Sequence, residues 1–599
     1  MIGFLQQLKE RKLVQWAIAY VAAAFALLQG IDIVAQRFGW PEPIERILII
    51  ALCIGFLVTL LLAWYHGDRG AQNVSGTELL LLALLLALGG GFLWKFAPGS
   101  SAPGSTTASA ATSAVTSVNA DRRSIAVLPF VNMSGDKDNE YFSDGISEEI
   151  LNVLAKTADL HVAARTSSFS FKGGKQEAPE IARDLKVRML LEGSVRKQGD
   201  RVRITAQLID AETGYHVWSQ TYDRDLKDIF AIQDEIAKAI GDELKVELTG
   251  TPPAGKNSAG TTNLKAYDLY LQGIALWQTR TADNLWKSVD AFRQAIAADP
   301  SFAQAYGGLG LVYAVIPDYS PKISYEDAHQ RATDAAEMAL VIDPSLPEPY
   351  VVLAATAGWE RRRSTTVALY RRAIALRPSF ATAYQWLGTE MMAAGDPVAA
   401  LVALDHAAEL DPRSLVVANN RAYVLLTLGR NAEARSACER ILAFAPDHRG
   451  CQIRIALAEL QRGDPEAARP FLVRIAQLND PAALPLVNAV VDTLQGRGDR
   501  QSLARRLTAL PIRSSQDPDS GNIFPATETT ALLVMLGAAE LALDYLETSA
   551  VDPGNSPAEW TMMLPALDPI RCTARFAALV QKLKTVDPRA AAVCAARTK

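Results

Sequence analysis

Residues 381–414 read ATAYQWLGTEMMAAGDPVAALVALDHAAELDPRS, and this stretch decides the fold of the longest part of the chain. Apolar residues recur at helical spacing on both sides of Gly395, which predicts two helices joined by a tight turn. Small residues such as Gly388 let the two helices approach closely, and Leu404 fills the seam between them. Pro412 closes the second helix, because proline cannot continue it.

The same helix pair recurs through most of the second half of the chain. Its prolines and glycines stand 34 residues apart, at Pro344, Pro378, Pro412 and Pro446 and at Gly395, Gly429 and Gly463. A helix–turn–helix unit with a 34-residue period is the signature of the tetratricopeptide repeat. The sequence therefore predicts about six such repeats over 264–481 and a degenerate helical repeat cap over 482–599.

A small α/β domain is predicted over 122–250. SIAVLPF (124–130) is typical of a buried strand, and an amphipathic helix is expected over 140–158. Residues 188–224 read as three strands in a meander, because VRITAQLID alternates and Gly199-Asp200 and Thr213-Gly214 mark two turns. A closing amphipathic helix is expected over 228–248.

The first hundred residues predict a membrane region over 1–97, with two or three transmembrane helices contacting lipid through residues 14–96. The stretch 47–65 contains no charge and is long enough to cross a hydrocarbon layer of about 30 Å; a second run covers 79–94. The stretch 14–36 is interrupted by polar residues, so it predicts either a third span or a helix lying on the membrane surface. Residues 98–121 form a flexible Ser/Ala/Thr linker.

The number of spans decides where the rest of the chain lies. Lys9, Arg11 and Lys12 favour a cytoplasmic N-terminus. Three spans would then place the soluble part in the periplasm, and two would leave it in the cytoplasm. We expect a protein of the bacterial inner membrane with a periplasmic soluble part.

Four of the five cysteines lie in the last third of the chain. In an oxidising periplasm Cys572 could pair with Cys594, and Cys438 with Cys451. The alternative is that they are free, buried thiols, which the seam position of Cys438 favours.

Composition and motifs argue against catalysis and nucleic-acid binding. The net charge is −5 and the basic residues are scattered, whereas a nucleic-acid binder gathers them on one face. The sequence contains no GxxxxGK[ST] phosphate loop, no HExxH motif and no GxSxG elbow. No Cys/His cluster has metal-ligand spacing. We expect no catalytic residue, no metal, no cofactor and no enzymatic activity.

The α/β segment resembles the TolB-amino-terminal-like (FlgO-like) domain of bacterial envelope proteins. The residues that carry the resemblance are SIAVLPFVNMSGDKDNEYFSDGISEEI, LEGSVRKQGDRVRITAQLIDAETGYHVWSQTYDR and DIFAIQDEIA. Together with the apolar N-terminus and the repeats, over four fifths of the chain is similar to membrane-anchored TolB-like/tetratricopeptide proteins of Gram-negative bacteria. Relatives often carry an adenylate cyclase or winged-helix domain at the N-terminus. Only about a dozen residues precede the first apolar stretch here, so we do not expect those activities.

The resemblance to tetratricopeptide arrays implies a partner-binding groove on the concave face of the first helices. Carried over residue by residue, that rule places in or beside the groove Trp359, Gln385, Trp386, Asn419, Asn420, Tyr423 and Arg454. Aromatic residues and arginine are common hot spots of interfaces. The alternative for Trp359 and Trp386 is that they fill seams between repeats.

Three functions remain open from the sequence. The first is a non-enzymatic, membrane-anchored scaffold or assembly factor of the cell envelope, binding proteins or peptides through the groove. The second is a transmembrane sensor whose α/β domain binds a ligand. The third is an accessory subunit of a signalling enzyme such as a cyclase. The sequence does not indicate the partner, the physiological process or the oligomeric state.

Overall fold

The computed structural model describes residues 123–136, 139–157, 159–244, 259–512, 523–550, 558–583 and 586–597. All of them belong to one compact unit. That unit is a mixed α/β domain followed by an all-α array of helix pairs.

The α/β domain is built on a mixed sheet. Its strands are β1 (Ser124–Val127), β2 (Val131–Asn132), β3 (His161–Val162), β4 (Met189–Gln198), β5 (Arg201–Asp210) and β6 (Tyr215–Asp225). Within the described residues the order is β3-β1-β4-β5-β6, and β2 pairs with β4. Strand β1 pairs in parallel with β3 and with β4, and β2 pairs in parallel with β4. Strands β4, β5 and β6 form an antiparallel meander. Gly199 and Gly214 make its two turns with positive φ, which glycine adopts without a Cβ clash.

Helices cover both faces of this sheet near β1. They are α1 (Glu140–Leu154), α2 (Arg165–Phe169), α3 (Ala178–Leu185) and α4 (Ile229–Leu244). Ile125 and Val127 pack with α1 and α4, and Ala126 packs on the opposite face with α3. Burial on both faces explains why SIAVLPF is apolar throughout, because a strand covered on both sides has no solvent face.

The array consists of consecutive antiparallel helices. The first six are α5 (Leu264–Gln278), α6 (Ala282–Ala298), α7 (Ala303–Val315), α8 (Tyr325–Ile342), α9 (Pro347–Trp359) and α10 (Arg363–Leu376). The next six are α11 (Ala381–Ala393), α12 (Pro397–Leu410), α13 (Leu415–Thr427), α14 (Asn431–Leu442), α15 (Arg449–Gln461) and α16 (Pro465–Asn479).

The helix pairs continue beyond residue 482, where the sequence predicts only a degenerate cap. They are α17 (Leu484–Leu494) with α18 (Arg500–Thr508), and α19 (Ala526–Met535) with α20 (Ala539–Ser549). Gly496 and Gly537 end the first helix of each pair with φ of +84° and +77°, as Gly395, Gly429 and Gly463 do in the regular repeats. Each periodic glycine thus supplies the left-handed residue that stops a helix. The chain ends in the short helices α21 (Ala558–Met562), α22 (Asp568–Arg571), α23 (Ala574–Lys582) and α24 (Ala590–Arg597).

The prediction of N-terminal transmembrane helices, which is part of the predicted fold class, is wrong. In the part of the chain that the structure describes, no helix is both long and apolar enough to cross a bilayer. The longest, α8, has 18 residues and carries charge at five of them, from Glu326 to Glu337. The predicted transmembrane stretches 14–36, 47–65 and 79–94, and the linker 98–121, lie outside the described residues. The corrected fold class is an α/β domain followed by an all-α array.

The α/β domain packs directly against the array. The Tyr141 hydroxyl donates to Asp268 of α5 at 2.7 Å, and the Ala164 amide donates to the Leu410 carbonyl at 2.8 Å. One cluster of buried apolar side chains runs without a break from β1 to α11. These contacts join segments far apart in sequence, so the domain and the first repeats form one folded body.

Candidate functional site

The predicted groove is occupied by the chain's own C-terminal helices around α13 and α15. Tyr423 is 2% exposed and its ring lies 5.4 Å from that of Trp560. Arg454 stacks its guanidinium 4.5 Å from the Tyr423 ring centre and pairs with Glu528 of α19. Two of the predicted partner-binding residues are therefore already engaged within the molecule.

Hydrogen bonds from two arginine side chains to main-chain carbonyls hold the C-terminal helices on this face. Arg449 donates to the Ile523 carbonyl at 2.8 Å, and Arg589 donates to the Thr427 carbonyl at 3.3 Å. We call residues 523–597, within their described parts, the C-terminal cap. The C-terminal cap covers the groove around α13 and α15.

The asparagines and the central tryptophan of the predicted groove are partly buried. Asn419 accepts from the Arg454 Nε at 3.2 Å and contacts Asn420 through a 3.4 Å hydrogen bond. Trp386 packs against the apolar cluster that joins the α/β domain to the array, and Gln385 beside it is half-buried. The position of Trp386 fits the seam-filling alternative.

Trp359 stands apart from the other predicted groove residues, because 47% of its surface is exposed. Its ring stacks on Tyr325 with centres 5.1 Å apart and meets His329 edge-on at 5.0 Å. The rings of Trp359 and His329 line a cleft of about 570 Å³ between α8, α9 and α10, which we call the Trp359 cleft. Burial lowers the pKa of the His329 imidazole, so this side chain is neutral at neutral pH.

The predicted cysteine pairs have different states. Cys572 and Cys594 are joined by a disulfide that ties α22 to α24. Cys438 and Cys451 are free and buried. The Cys451 amide donates to the Nδ1 of His448 at 3.2 Å.

A second candidate site lies where α1 meets the array. A cavity of about 200 Å³, which we call the interdomain cavity, is lined by α1 on one side and by α5, α7 and the loop before α11 on the other. Arg165 donates to Glu148 at 2.7 Å, and Arg377 pairs with Glu348 at 2.7 Å. These ion pairs, both largely buried, place charged groups from the α/β domain and from the array on the same walls.

Two further carboxyl groups on these walls have raised pKa values. Burial, reinforced by the negative charge of Glu148, raises the pKa of Glu149 to about 7. Burial also raises the pKa of Asp411 to about 6, although the Ser167 hydroxyl donates to its carboxylate. Both groups therefore favour their neutral form more than exposed carboxyls do.

The raised pKa of Glu149 makes stability depend on pH in a definite direction. Its protonated form is favoured in the folded state, so its contribution is complete below the unfolded pKa of 4.5 and is lost as pH rises through about 7. Between about pH 5 and about pH 8 we expect the wild type to lose about 2–3 kcal/mol of unfolding free energy relative to Glu149→Gln. Urea unfolding of both proteins across this range measures it. Parallel pH profiles of the two proteins would contradict the assignment.

The interdomain cavity is not predicted by the repeat pattern, although one residue of that pattern indicates it. The repeat position before the periodic proline is aspartate in Asp299, Asp343 and Asp411, but it is arginine at Arg377. Arg377 lies on the cavity wall, where the regular aspartate would meet Glu348 instead of pairing with it. A charge reversal within a periodic pattern was the available indication.

No grouping of metal ligands occurs in the part of the chain that the structure describes. Glu148 and Glu149 are adjacent acids on α1, and the first of them is held by Arg165.

Comparisons with known proteins agree with the array and describe the α/β domain differently. Residues 391–452 match the tetratricopeptide repeat family. The array is a tetratricopeptide-repeat fold. Residues 121–239 match the family described as HilA/YgeH-like transcriptional regulator, second domain. That description differs from the TolB-amino-terminal-like resemblance drawn from the same residues.

A curated relative matches part of the chain. The Rhizobium meliloti (strain 1021) protein named "Putative adenylate cyclase 3" is 39% identical over 244 residues, which is 40% of this chain and 41% of that protein. This chain therefore matches less than half of the relative's length.

Solved structures of repeat proteins are similar at low identity. Pseudomonas aeruginosa PilF is 17% identical, with 37% of this chain and 94% of that chain covered and a TM-score of 0.29. A tetratricopeptide repeat protein from Parabacteroides merdae is 12% identical, with 46% and 99% covered and a TM-score of 0.30. The pilus biogenesis factor PilW is 14% identical, with 44% and 98% covered and a TM-score of 0.27.

Proposed function

We propose that this chain is a non-enzymatic protein-interaction scaffold of the cell envelope that binds its partner at the Trp359 cleft. The observation that carries the proposal is the 47% exposure of Trp359, since of the other predicted aromatic contacts Tyr423 is buried and Trp386 is partly buried. An exposed tryptophan held rigid by neighbouring rings is well suited to anchor a partner, because little conformational entropy is lost on binding.

The charge of the Trp359 cleft indicates the chemistry of the partner segment. Glu326, Glu337 and Glu360 line the cleft, and Arg362, its one basic lining residue among those described, is paired with Glu360. The cleft therefore carries an excess of two negative charges beside an aromatic surface. A partner segment with an apolar residue next to lysine or arginine fits both features.

The proposal is tested by replacing Trp359 in the full-length protein. A photo-crosslinking amino acid at position 359 identifies the partner in cells, and the affinity of that partner is then measured for the wild type and for Trp359→Ala. We expect Trp359→Ala to weaken binding by about 30-fold, because a hot-spot aromatic contributes about 2 kcal/mol. Tyr215→Ala removes an aromatic that is 75% exposed on β6 and serves as the matched control. Equal affinities of wild type and Trp359→Ala would refute the proposal.

We propose further that the described part of the chain works in the periplasm. Two observations support this: the Cys572–Cys594 disulfide, which persists in oxidising compartments, and the resemblance to envelope proteins. Cells lysed in an alkylating reagent should yield protein labelled at Cys438 and Cys451 only after unfolding, with Cys572 and Cys594 labelled only after reduction. Alkylation of Cys572 and Cys594 without reduction would place the domain in a reducing compartment.

A second candidate function is an accessory role beside a signalling enzyme. The observation in its favour is the 39% identity to a Rhizobium meliloti protein named as a putative adenylate cyclase. On this proposal the purified chain has no cyclase activity of its own and changes that of a separate cyclase when the two are mixed. Absence of any change in a mixed assay would remove this candidate.

A further inference from the structure

The interdomain cavity has hydrogen-bond donors that no described residue satisfies. Arg377 is 7% exposed, and while one of its terminal nitrogens binds Glu348, its Nε has no acceptor among the described residues. The Nε1 of Trp277, on α5, is likewise buried without an acceptor there. Both side chains line the same cavity. Burying a donor without an acceptor is costly, so an acceptor from a ligand would be favourable here.

Arg280 adds a positive charge to the same cavity. Its guanidinium lies 4.3 Å from the centre of the Trp277 ring, and the Asp318 carboxylate interacts with it electrostatically. Its backbone has φ of +53°, a left-handed conformation that is unfavourable for a residue with a Cβ. This backbone places a half-buried arginine against the cavity wall, and burial lowers the pKa of its guanidinium.

The acidic groups of the cavity do not accept hydrogen bonds from these two donors. Glu148 and Glu348 are each held by an arginine, at 2.7 Å in both cases. Burial raises the pKa values of Glu149 and Asp411 to about 7 and about 6, so both carboxyl groups lose their negative charge as the pH falls below about 6. The buried side-chain atoms of the lining that no described residue satisfies are the Arg377 Nε and the Trp277 Nε1, and both are donors.

We propose that the interdomain cavity binds a small organic oxyanion, a carboxylate or a phosphate. Its oxygens accept hydrogen bonds from the Arg377 Nε and the Trp277 Nε1, and Arg280 supplies the compensating charge. The rings of Trp277, Tyr270 and Phe380, which also line the cavity, contact the apolar part of the ligand. Since α1 and the array both contribute walls, the bound anion stabilises the contact between the α/β domain and the repeats.

The experiment measures anion binding to the full-length protein by calorimetry at low ionic strength. Sodium phosphate and sodium succinate are the two probes, so that a phosphate ligand and a carboxylate ligand are distinguished. The test variants are Trp277→Phe, which removes one N–H and keeps the ring, and Arg280→Gln, which removes the positive charge and keeps a polar side chain. Trp286→Phe is the matched control, because the Trp286 Nε1 donates to Ser320 at 3.2 Å in a different part of the array.

We expect at least one probe to bind with one anion per chain and to raise the thermal midpoint of the wild type. Each test variant should weaken binding about tenfold, the effect of losing one charge-assisted hydrogen bond, whereas Trp286→Phe should leave it unchanged. Binding of phosphate alone or of succinate alone supports the proposal and names the ligand class. The proposal is overturned if neither anion binds below about 10 mM, or if both test variants bind as the wild type does.

Discussion

Arg571→Ala is expected to lower the unfolding free energy of the C-terminal cap by about 3–5 kcal/mol, because it leaves buried charge unpaired. The Arg571 side chain is fully buried and pairs with Asp568 at 2.9 Å and with Asp587. It also donates to the carbonyls of Met562 and Leu564 at 2.7 and 2.9 Å. One guanidinium thus satisfies acceptors from four points of the cap, and the Asp587 side chain is itself only 4% exposed.

The measurement is urea unfolding combined with limited proteolysis, which reports separately on the cap. Arg575→Ala is the matched control. Arg575 pairs with Glu540 and Asp544 at the surface, where solvent screens the ion pair and its removal changes stability little. The prediction is wrong if both variants lose the same stability, or if the cap of Arg571→Ala resists protease as the wild type does.

Loss of the cap would also change what the array can bind. The cap covers Tyr423 and Arg454, so releasing it exposes the part of the groove where the sequence predicts partner contacts. The Trp359 cleft is lined by α8, α9 and α10 and does not depend on the cap. The two surfaces can therefore be separated by experiment.

The array could be predicted from the sequence because its determinants repeat. In the regular repeats a glycine after the first helix, at Gly395, Gly429 and Gly463, and a proline after the second helix recur every 34 residues, and both have simple backbone causes. The α/β meander was predictable for a similar reason, since β5 alternates between buried and exposed residues. Local patterns of this kind do not depend on distant contacts.

The occupancy of the groove could not be predicted, because it depends on contacts between distant segments. Glu528 and Trp560 occur outside the regular period, and nothing local indicates that they meet Arg454 and Tyr423. The interdomain cavity has the same origin: Ser167 and Asp411 are joined by a hydrogen bond across 244 residues of sequence. Such pairings join segments that lie far apart in the sequence, and the repeat pattern does not specify them.

Phe292→Ala is expected to destabilise the junction between the first two repeats by about 3–5 kcal/mol. Phe292 is fully buried on α6, and its ring lies directly over Gly273 of α5 and Gly308 of α7. Neither glycine has a side chain that could move into the space left by the ring. The lost apolar burial and the residual cavity therefore both contribute to the cost, which urea unfolding measures.

The substitution Gly308→Ala tests this packing, because its effect on the unfolding free energy should change sign when Phe292 is replaced by alanine. In the wild type a Cβ at position 308 would lie 2.6 Å from the Cζ of Phe292, so the substitution forces the ring to move and costs about 1–3 kcal/mol. With alanine at position 292 the clash disappears, and the same substitution should stabilise by up to about 1 kcal/mol through helix propensity and cavity filling. If Gly308→Ala destabilises both backgrounds equally, then Phe292 does not hold the two helices at their present separation. If Gly308→Ala destabilises the wild type and stabilises the Phe292→Ala variant, then Gly273, Gly308 and the Phe292 ring jointly set the distance between the first two repeats.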